Sequence, residues 1–153
     1  LYQNCVKELN EKLSENCWRS SSLNWGSDVK QGINGSCIIT PVSDIINPLL
    51  EKELKPSLPE CRKLEFNYYI WQPQSGISWH NDKGPGRLFG ASLYLNDEWH
   101  PNMGGWFIWE DEKGHHTILP KKKFLVLNNN YEHHCVTPVS TGFRCTIQIW
   151  GFL

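Results

Sequence analysis

The chain has 153 residues, which suits one domain with a single hydrophobic core and is too short for two. Hydrophobic residues make up 39% and charged residues 20%, a balance that favours a globular protein over a disordered one. The formal net charge of −1 gives no electrostatic reason to expect nucleic acid or an anionic membrane as a partner.

Six widely spaced cysteines with no CxxC pair favour free thiols in a reducing compartment over a disulfide framework. The sequence shows no basic and apolar leader and no apolar run of membrane-spanning length. It begins at Leu1 rather than at a methionine, so a leader could have been removed. A cytoplasmic location is the expectation.

The first 59 residues carry helical patterns. Apolar residues at helical spacing predict a first helix that ends near residue 18. A loop over residues 20–36 separates it from a second helix, predicted over Asp44 to Leu54 with Ser43 as its cap. Pro48 lies inside this second helix and would shift its start or kink it.

From Leu64 onward, short apolar runs alternate with Gly, Pro and Asn, which is typical of strands joined by turns. Eight strands are predicted, near residues 64–71, 77–82, 88–95, 105–110, 114–119, 123–128, 131–136 and 143–150. Strands without intervening helices favour an antiparallel sandwich or barrel. The predicted fold is therefore mainly β, a double-stranded β-helix of the jelly-roll or cupin type, with the N-terminal helices packed on one sheet. We expect one domain, with residues 1–60 as helical support and residues 61–153 as the β core.

A possible metal site begins at His80-Asn81-Asp82. Alternate side chains of a strand share a face, so His80 and Asp82 can bind one ion together. A third ligand has to come from a distant strand. His133 and His134 are the candidates, and only one can serve, because neighbours in a regular strand point to opposite faces. Two imidazoles and one carboxylate form the facial triad that binds iron(II) and leaves coordination positions open.

The last predicted strand separates a polar face from an apolar one. The polar face carries Arg144, Thr146, Gln148 and Trp150. This pattern indicates a solvated cavity rather than a filled core. Arg144 could form a surface ion pair, but inside an apolar strand it needs a carboxylate partner, either from the protein or from a ligand.

These motifs, in this order and spacing, resemble those of the iron(II) and 2-oxoglutarate-dependent dioxygenases, specifically the prolyl 4-hydroxylase-like branch. The similarity runs from residue 64 to the C terminus. The matching pieces are His-Asn-Asp at 80–82, Tyr-Leu-Asn-Asp-Glu-Trp at 94–99, Gly-Gly-Trp-Phe-Ile at 104–108 and His-Cys-Val-Thr-Pro-Val at 134–139, followed by Arg144 and Trp150.

The resemblance implies that His80, Asp82 and His134 are the catalytic iron(II) ligands, which selects the second histidine of the 133–134 pair. Arg144 would pair with the distal carboxylate of 2-oxoglutarate, and the hydroxyl of Tyr94 would support the same carboxylate. The expected cofactors are therefore Fe(II), 2-oxoglutarate and O2, with ascorbate as a supporting reductant.

The resemblance also implies which residues border the substrate. Tyr69 would border the substrate and the metal, with Tyr68 as the alternative one residue away, and Trp150 would line the iron pocket. The implied reaction is hydroxylation of an unactivated C–H bond, coupled to oxidative decarboxylation of 2-oxoglutarate to succinate. A prolyl residue of a peptide or protein is the leading substrate. The alternative substrate is a free amino acid or another small molecule. The alternative function is that of a non-catalytic cupin-like binding protein, which Arg144 and Tyr94 disfavour.

Other polar clusters are predicted to be structural. His100, His115 and His116 are interpreted as surface histidines in turns, and Lys121-Lys122-Lys123 as a solvated charge cluster. The run Asn128-Asn129-Asn130 is interpreted as a turn before the strand of the third ligand.

Overall fold

The computed structural model describes residues 1–16, 19–22, 36–129 and 132–153. Within them, ten strands form two antiparallel sheets. The strands are β1 (Arg19–Ser22), β2 (Ser36–Pro41), β3 (Lys63–Trp71), β4 (Ile77–His80), β5 (Arg87–Tyr94), β6 (Phe107–Asp111), β7 (Gly114–Ile118), β8 (Leu125–Asn129), β9 (His134–Val136) and β10 (Arg144–Phe152). The larger sheet has the order β1-β2-β3-β10-β5-β8, and the smaller one β4-β9-β6-β7.

All eight predicted strands are present, with ends shifted by a few residues. The sequence analysis missed β1 and β2, because the short apolar run of β2 lies in a segment dominated by helical patterns. β2 pairs with β3 along five residues, a long-range contact that local periodicity does not report. The predicted loop begins inside β1, and its residues 23–35 lie outside the described part of the chain.

Both predicted helices exist but are shorter than expected. The first, α1, spans Tyr2–Ser14, and the chain leaves it at Asn16, whose φ of 55° is left-handed. The second, α2, spans Asn47–Leu54 and starts three residues late, because Pro48 is accepted only in the first turn of a helix. The Ser43 hydroxyl still accepts a hydrogen bond from the Ile46 amide at 3.3 Å.

The helices pack on the outer face of the larger sheet, as predicted. Leu9 of α1 and Leu50 of α2 belong to the same buried cluster as Phe66, Ile147 and Ile149 of the sheet. A second cluster lies between the two sheets and combines residues of both: Cys37, Ile39, Trp71, Ile77, Phe107, Val136 and Val139. The larger sheet therefore has an outer face under helices and an inner face toward the smaller sheet.

The cysteines and the helices also bear on the expectations from the sequence. Five cysteines of the described residues, Cys5, Cys37, Cys61, Cys135 and Cys145, are free thiols, as predicted. Cys17 lies outside the described residues. Of the helices that the structure describes, none has the length and apolar character needed to cross a membrane.

Candidate metal site

Three potential metal ligands converge between the sheets. His80 is the last residue of β4 and lies opposite His134, the first residue of β9, in an antiparallel pair. Asp82 follows two residues after β4, its Oδ1 lying 3.6 Å from His80 Nε2 and its Oδ2 3.4 Å from His134 Nε2. One donor atom of each residue lies within 4.8 Å of the others. Elsewhere in the described chain there is no second group of three His, Cys, Asp or Glu residues with this spacing.

Backbone carbonyls orient both imidazole rings. His80 Nδ1 lies 2.6 Å from the carbonyl oxygen of Ser78, and His134 Nδ1 lies 3.0 Å from that of Glu132. A proton on each Nδ1 donates to this carbonyl, which leaves the Nε2 lone pair of each ring for a metal ion.

The local electrostatics favour the protonation states that a metal requires. Burial alone would raise the pKa of Asp82, but hydrogen bonding with His80 and the charge of His134 outweigh it and lower that pKa. Burial lowers the pKa of His134, although the Asp82 carboxylate opposes the shift. Near neutral pH the site therefore holds an anionic carboxylate and a neutral His134, as metal ligation demands.

The asparagine run predicted a turn at Asn128, and this prediction was wrong. Asn128 and Asn129 belong to β8, while Asn130 lies outside the described residues. The Asn128 amide nitrogen donates a hydrogen bond to Asp82 Oδ2 at 2.9 Å. The alternation of β8 could have revealed this, because Val126 and Asn128 share a face and both line the cavity of the site.

A buried cation lies at the other end of the site. Arg144 opens β10 and is 2% exposed, and its Nη2 donates to the Tyr94 hydroxyl at 3.1 Å. Its Nε has no hydrogen-bond partner within the described residues, which also offer it no carboxylate at ion-pair distance. The Thr146 hydroxyl, two residues along the same face, is buried and likewise lacks a partner there.

One cavity connects the three potential ligands to Arg144. Its lining includes Tyr69, His80, Asp82, Gly90, Ser92, Phe107, Asn128, His134, Arg144, Gln148 and Trp150. Tyr94 is fully buried beside Arg144 and does not line the cavity itself. The structure thus brings together the site residues predicted from the sequence, which lie on or next to five strands, β3, β4, β5, β9 and β10.

The structure distinguishes between the two adjacent tyrosines. Tyr69 faces the cavity, whereas Tyr68 is fully buried in the cluster under the helices. The two histidines also differ in burial: His134, the first residue of β9, is buried at the site, whereas His133, which precedes the strand, is exposed. Strand parity therefore supports the choice of Tyr69, and the difference in burial supports the choice of His134.

Trp150 reaches the cavity because its neighbour is a glycine. A Cβ added at Gly90 would lie 2.7 Å from a ring carbon of Trp150 and 3.2 Å from Asp82 Oδ2. The outer side of the Trp150 ring is covered by the Arg87 guanidinium, 3.7 Å from the ring centroid. Gly90 thus leaves the space that the Trp150 ring and the Asp82 carboxylate occupy on either side of it.

The remaining histidines lie apart from this site. His100 and His115 are exposed, as predicted, whereas His116 is partly buried and stacks on Trp109. The turn interpretation was wrong for His115 and His116, because both belong to β7. The first contacts Glu110 and the second contacts Asp111, so each has an acidic neighbour on the hairpin of β6 and β7.

Comparisons with known proteins add an independent finding. The sequence model of the family described as the 2OG-Fe(II) oxygenase superfamily matches residues 64–152. Among curated proteins, none matches the sequence.

Several solved structures share the fold. A prolyl-4-hydroxylase of Pseudomonas putida has a TM-score of 0.80 at 17% identity, covering 99% of this chain and 85% of that one. A prolyl hydroxylase in complex with a hypoxia inducible factor oxygen degradation domain peptide fragment from Trichoplax adhaerens has a TM-score of 0.77 at 14% identity, covering 99% and 77%. A viral collagen prolyl hydroxylase from Paramecium Bursaria Chlorella virus-1, in a 2OG complex, has a TM-score of 0.64 at 16% identity, covering 98% and 90%. At these identities the likeness shows the fold, and it confirms the predicted double-stranded β-helix.

Proposed function

We propose that this chain, which belongs to the 2OG-Fe(II) oxygenase superfamily, hydroxylates an unactivated C–H bond in a reaction that depends on iron(II) and 2-oxoglutarate. The observation that carries the proposal is the single cavity that joins a two-histidine, one-carboxylate cluster to a buried arginine with no carboxylate partner among the described residues. One end of this cavity suits a cation and the other suits an anion.

The donor set fits iron(II). His80 and His134 would bind through their Nε2 atoms and Asp82 through its carboxylate, which together form the ligand set of a facial triad. Iron(II), with 2-oxoglutarate and O2, supplies the oxidising power for C–H hydroxylation while 2-oxoglutarate is converted to succinate and carbon dioxide. The backbone carbonyls that orient the two rings hold the nitrogen lone pairs in place before the metal arrives.

The distal carboxylate of 2-oxoglutarate fits the arginine end. A buried and unpaired guanidinium is costly, and a ligand carboxylate would offset that cost through charge-assisted hydrogen bonds. Arg144 offers a free Nε, and Thr146 offers a hydroxyl without a partner in the described structure. The Tyr94 hydroxyl already contacts Arg144 Nη2, so it would hold the guanidinium and support the same carboxylate.

The substrate would enter from the side of Tyr69 and Trp150. Both are aromatic, both line the cavity, and Trp150 lies against Gly90 beside Asp82. Flat aromatic faces suit an apolar ring, which supports a prolyl residue of a peptide or protein as the substrate. A free amino acid or another small molecule is the competing substrate class.

The first experiment tests the site. Iron(II) and 2-oxoglutarate are added to the protein without oxygen, and the visible charge-transfer band of the ternary complex is followed. The wild type should develop the band, and Asp82→Ala should not, because it loses the anionic ligand. No band in the wild type, or an unchanged band in the variant, would contradict the proposal.

A second experiment tests the substrate. Succinate formation is measured with proline-containing peptides and with free amino acids, with and without ascorbate. Stimulation by the peptides supports the prolyl assignment, whereas stimulation by small molecules alone would replace it. Iron and 2-oxoglutarate binding without any stimulated turnover would favour a non-catalytic binding protein.

A further inference from the structure

We propose that Asn128 is a positioning residue of the metal site, which holds the Asp82 carboxylate in the orientation that binds iron(II). The inference rests on the proposed function, since it assumes that Asp82 is a ligand. Asn128 belongs to the larger sheet and contacts a metal site whose ligands lie on or next to the smaller sheet.

Asn128 lies on β8, at the edge of the larger sheet, whereas His134 belongs to the smaller sheet and Asp82 follows one of its strands. It is 5% exposed and lies opposite Gly90 in the pair of β5 and β8. Gly90 is the residue whose missing side chain leaves room for Asp82 and Trp150. Asn128 therefore reaches Asp82 across the gap between the sheets.

The contact with the Asp82 carboxylate favours one orientation of the Asn128 amide. Its Nδ2 lies 2.9 Å from Asp82 Oδ2, 3.0 Å from His134 Nδ1 and 3.4 Å from His134 Nε2. His134 Nδ1 has a carbonyl acceptor of its own at Glu132, so the contact between the two nitrogens is not the bond that holds the amide. An amide oxygen in the place of Nδ2 would face an anionic carboxylate at the same distance and be repelled. The amide nitrogen therefore donates to Asp82.

Packing alone does not account for an asparagine at this position. Asn128 Oδ1 is buried without a hydrogen-bond partner in the part of the chain that the structure describes. An unsatisfied group of this kind destabilises the folded protein. Val126, which lines the same cavity two residues earlier on β8, is apolar. A leucine at position 128 would have nearly the same shape and no unsatisfied oxygen, but it could not donate to Asp82.

The consequence is a carboxylate whose rotation is restricted from both sides. Oδ1 of Asp82 faces His80, and Oδ2 faces Asn128 and His134. Groups that hydrogen-bond to a metal ligand typically change metal affinity by about 10–100-fold when they are removed. We expect a loss of this size when Asn128 loses its donor.

The test compares two asparagines in the full chain. Asn128→Leu removes the donor and keeps the shape, and Asn128→Ala removes the whole amide. Asn96→Ala is the matched control, because within the described chain the Asn96 amide bonds to backbone atoms of Phe143 and Cys145, each at 2.8 Å, and not to the metal site. The affinity for manganese(II) alone is measured by calorimetry, and the charge-transfer band of the anaerobic iron(II) and 2-oxoglutarate complex is recorded for each variant.

Both Asn128 variants should bind manganese(II) about 10–100-fold more weakly than the wild type, and Asn96→Ala should stay within about twofold. Thermal melting of the metal-free proteins shows whether each variant is folded, and Asn128→Ala serves if the leucine does not fit. Unchanged affinity in a folded Asn128 variant would overturn the inference and leave the proposed function intact. An equal loss in Asn96→Ala would also overturn it, because the effect would then be general loosening. A wild type that binds no metal would overturn both proposals.

Discussion

The two faces of β10 are built from the same strand and differ in how their atoms are satisfied. The outward residues Ile147 and Ile149 are fully buried in the apolar cluster under the helices. The inward residues Arg144 and Thr146 are just as buried, yet each has a polar atom without a partner in the described structure. Ile147 and Ile149 have no side-chain polar atom to satisfy, whereas the proposed ligands would supply partners to Arg144 and Thr146. Substitutions on the outer face should therefore lower the stability of the protein, whereas substitutions on the inner face should weaken the binding of metal or 2-oxoglutarate.

The largest effect is expected at the third ligand. His134→Ala removes one of three metal donors, so iron(II) affinity should fall by more than the roughly 100-fold that marks the loss of an orienting neighbour. His133→Ala is the matched control, because His133 is exposed and adjacent in sequence. Metal titration of both variants checks the assignment, which fails if His133→Ala has the larger effect.

Removing the buried cation should weaken 2-oxoglutarate binding without lowering the stability of the fold. Arg144→Gln would leave the distal carboxylate unpaired, with an expected loss of about 2–5 kcal/mol in binding. The metal-free variant should be no less stable than the wild type, because it lacks a buried charge that has no carboxylate partner among the described residues. Calorimetry with 2-oxoglutarate and thermal melting measure the two quantities, with the exposed Arg62→Gln as control. A large loss of stability with unchanged binding would mean that Arg144 is structural.

Substitutions on the outer face of the larger sheet should lower stability and leave metal binding unchanged. Leu50→Ala leaves a cavity in the cluster under α2 and should lower the free energy of unfolding by about 2–5 kcal/mol. Leu49→Ala, on the same helix but 46% exposed, should change it far less. Urea unfolding measures both, and the metal affinity of the folded Leu50→Ala protein should equal that of the wild type. A matching loss of metal affinity would show that the two faces are not separable.

Gly90→Ala is expected to affect both properties, because the added Cβ meets Trp150 at 2.7 Å and Asp82 at 3.2 Å. Overpacking of this kind costs about 1–3 kcal/mol and should also weaken metal binding. Gly84→Ala is the control, since its Cβ would meet only the Arg87 side chain at 3.7 Å or more. Thermal melting and metal titration of the pair check this, and equal behaviour of the two variants would contradict it.

The smallest effect is expected from Tyr94→Phe. It removes one hydrogen bond to Arg144 and leaves the ring in place, so 2-oxoglutarate binding should weaken by about 0.5–1.5 kcal/mol. Calorimetry with 2-oxoglutarate measures the change, and metal binding without 2-oxoglutarate should be unaffected. A loss as large as that of Arg144→Gln would assign Tyr94 a greater part in binding the carboxylate.

Much of the site followed from local patterns. Alternation along a strand is a property of neighbouring residues, so the polar face of β10 could be predicted before any pairing was known. The grouping of His80 with Asp82 rested on the same alternation, although β4 ends at His80 and Asp82 lies in the segment that follows it. The resemblance to a family then selected His134. The start of α2 was missed because a proline inside a helical stripe permits more than one helix start, and the packed structure adopts the late one.

What only the tertiary structure decided depends on contacts between distant segments. β2 is a strand because β3 is beside it, and Tyr69 is the pocket tyrosine because of the register of β3 with β10. Asn128 is one of three consecutive asparagines, a run that predicts a turn when only the sequence is considered. Its bond to Asp82, 46 residues earlier, exists because the edge of one sheet is brought over the other. The sequence by itself determined which residue types face the cavity, since that requires only a period of two. The partner of each polar atom was decided by the packing of the two sheets, since hydrogen bonds depend on distances that no local pattern contains.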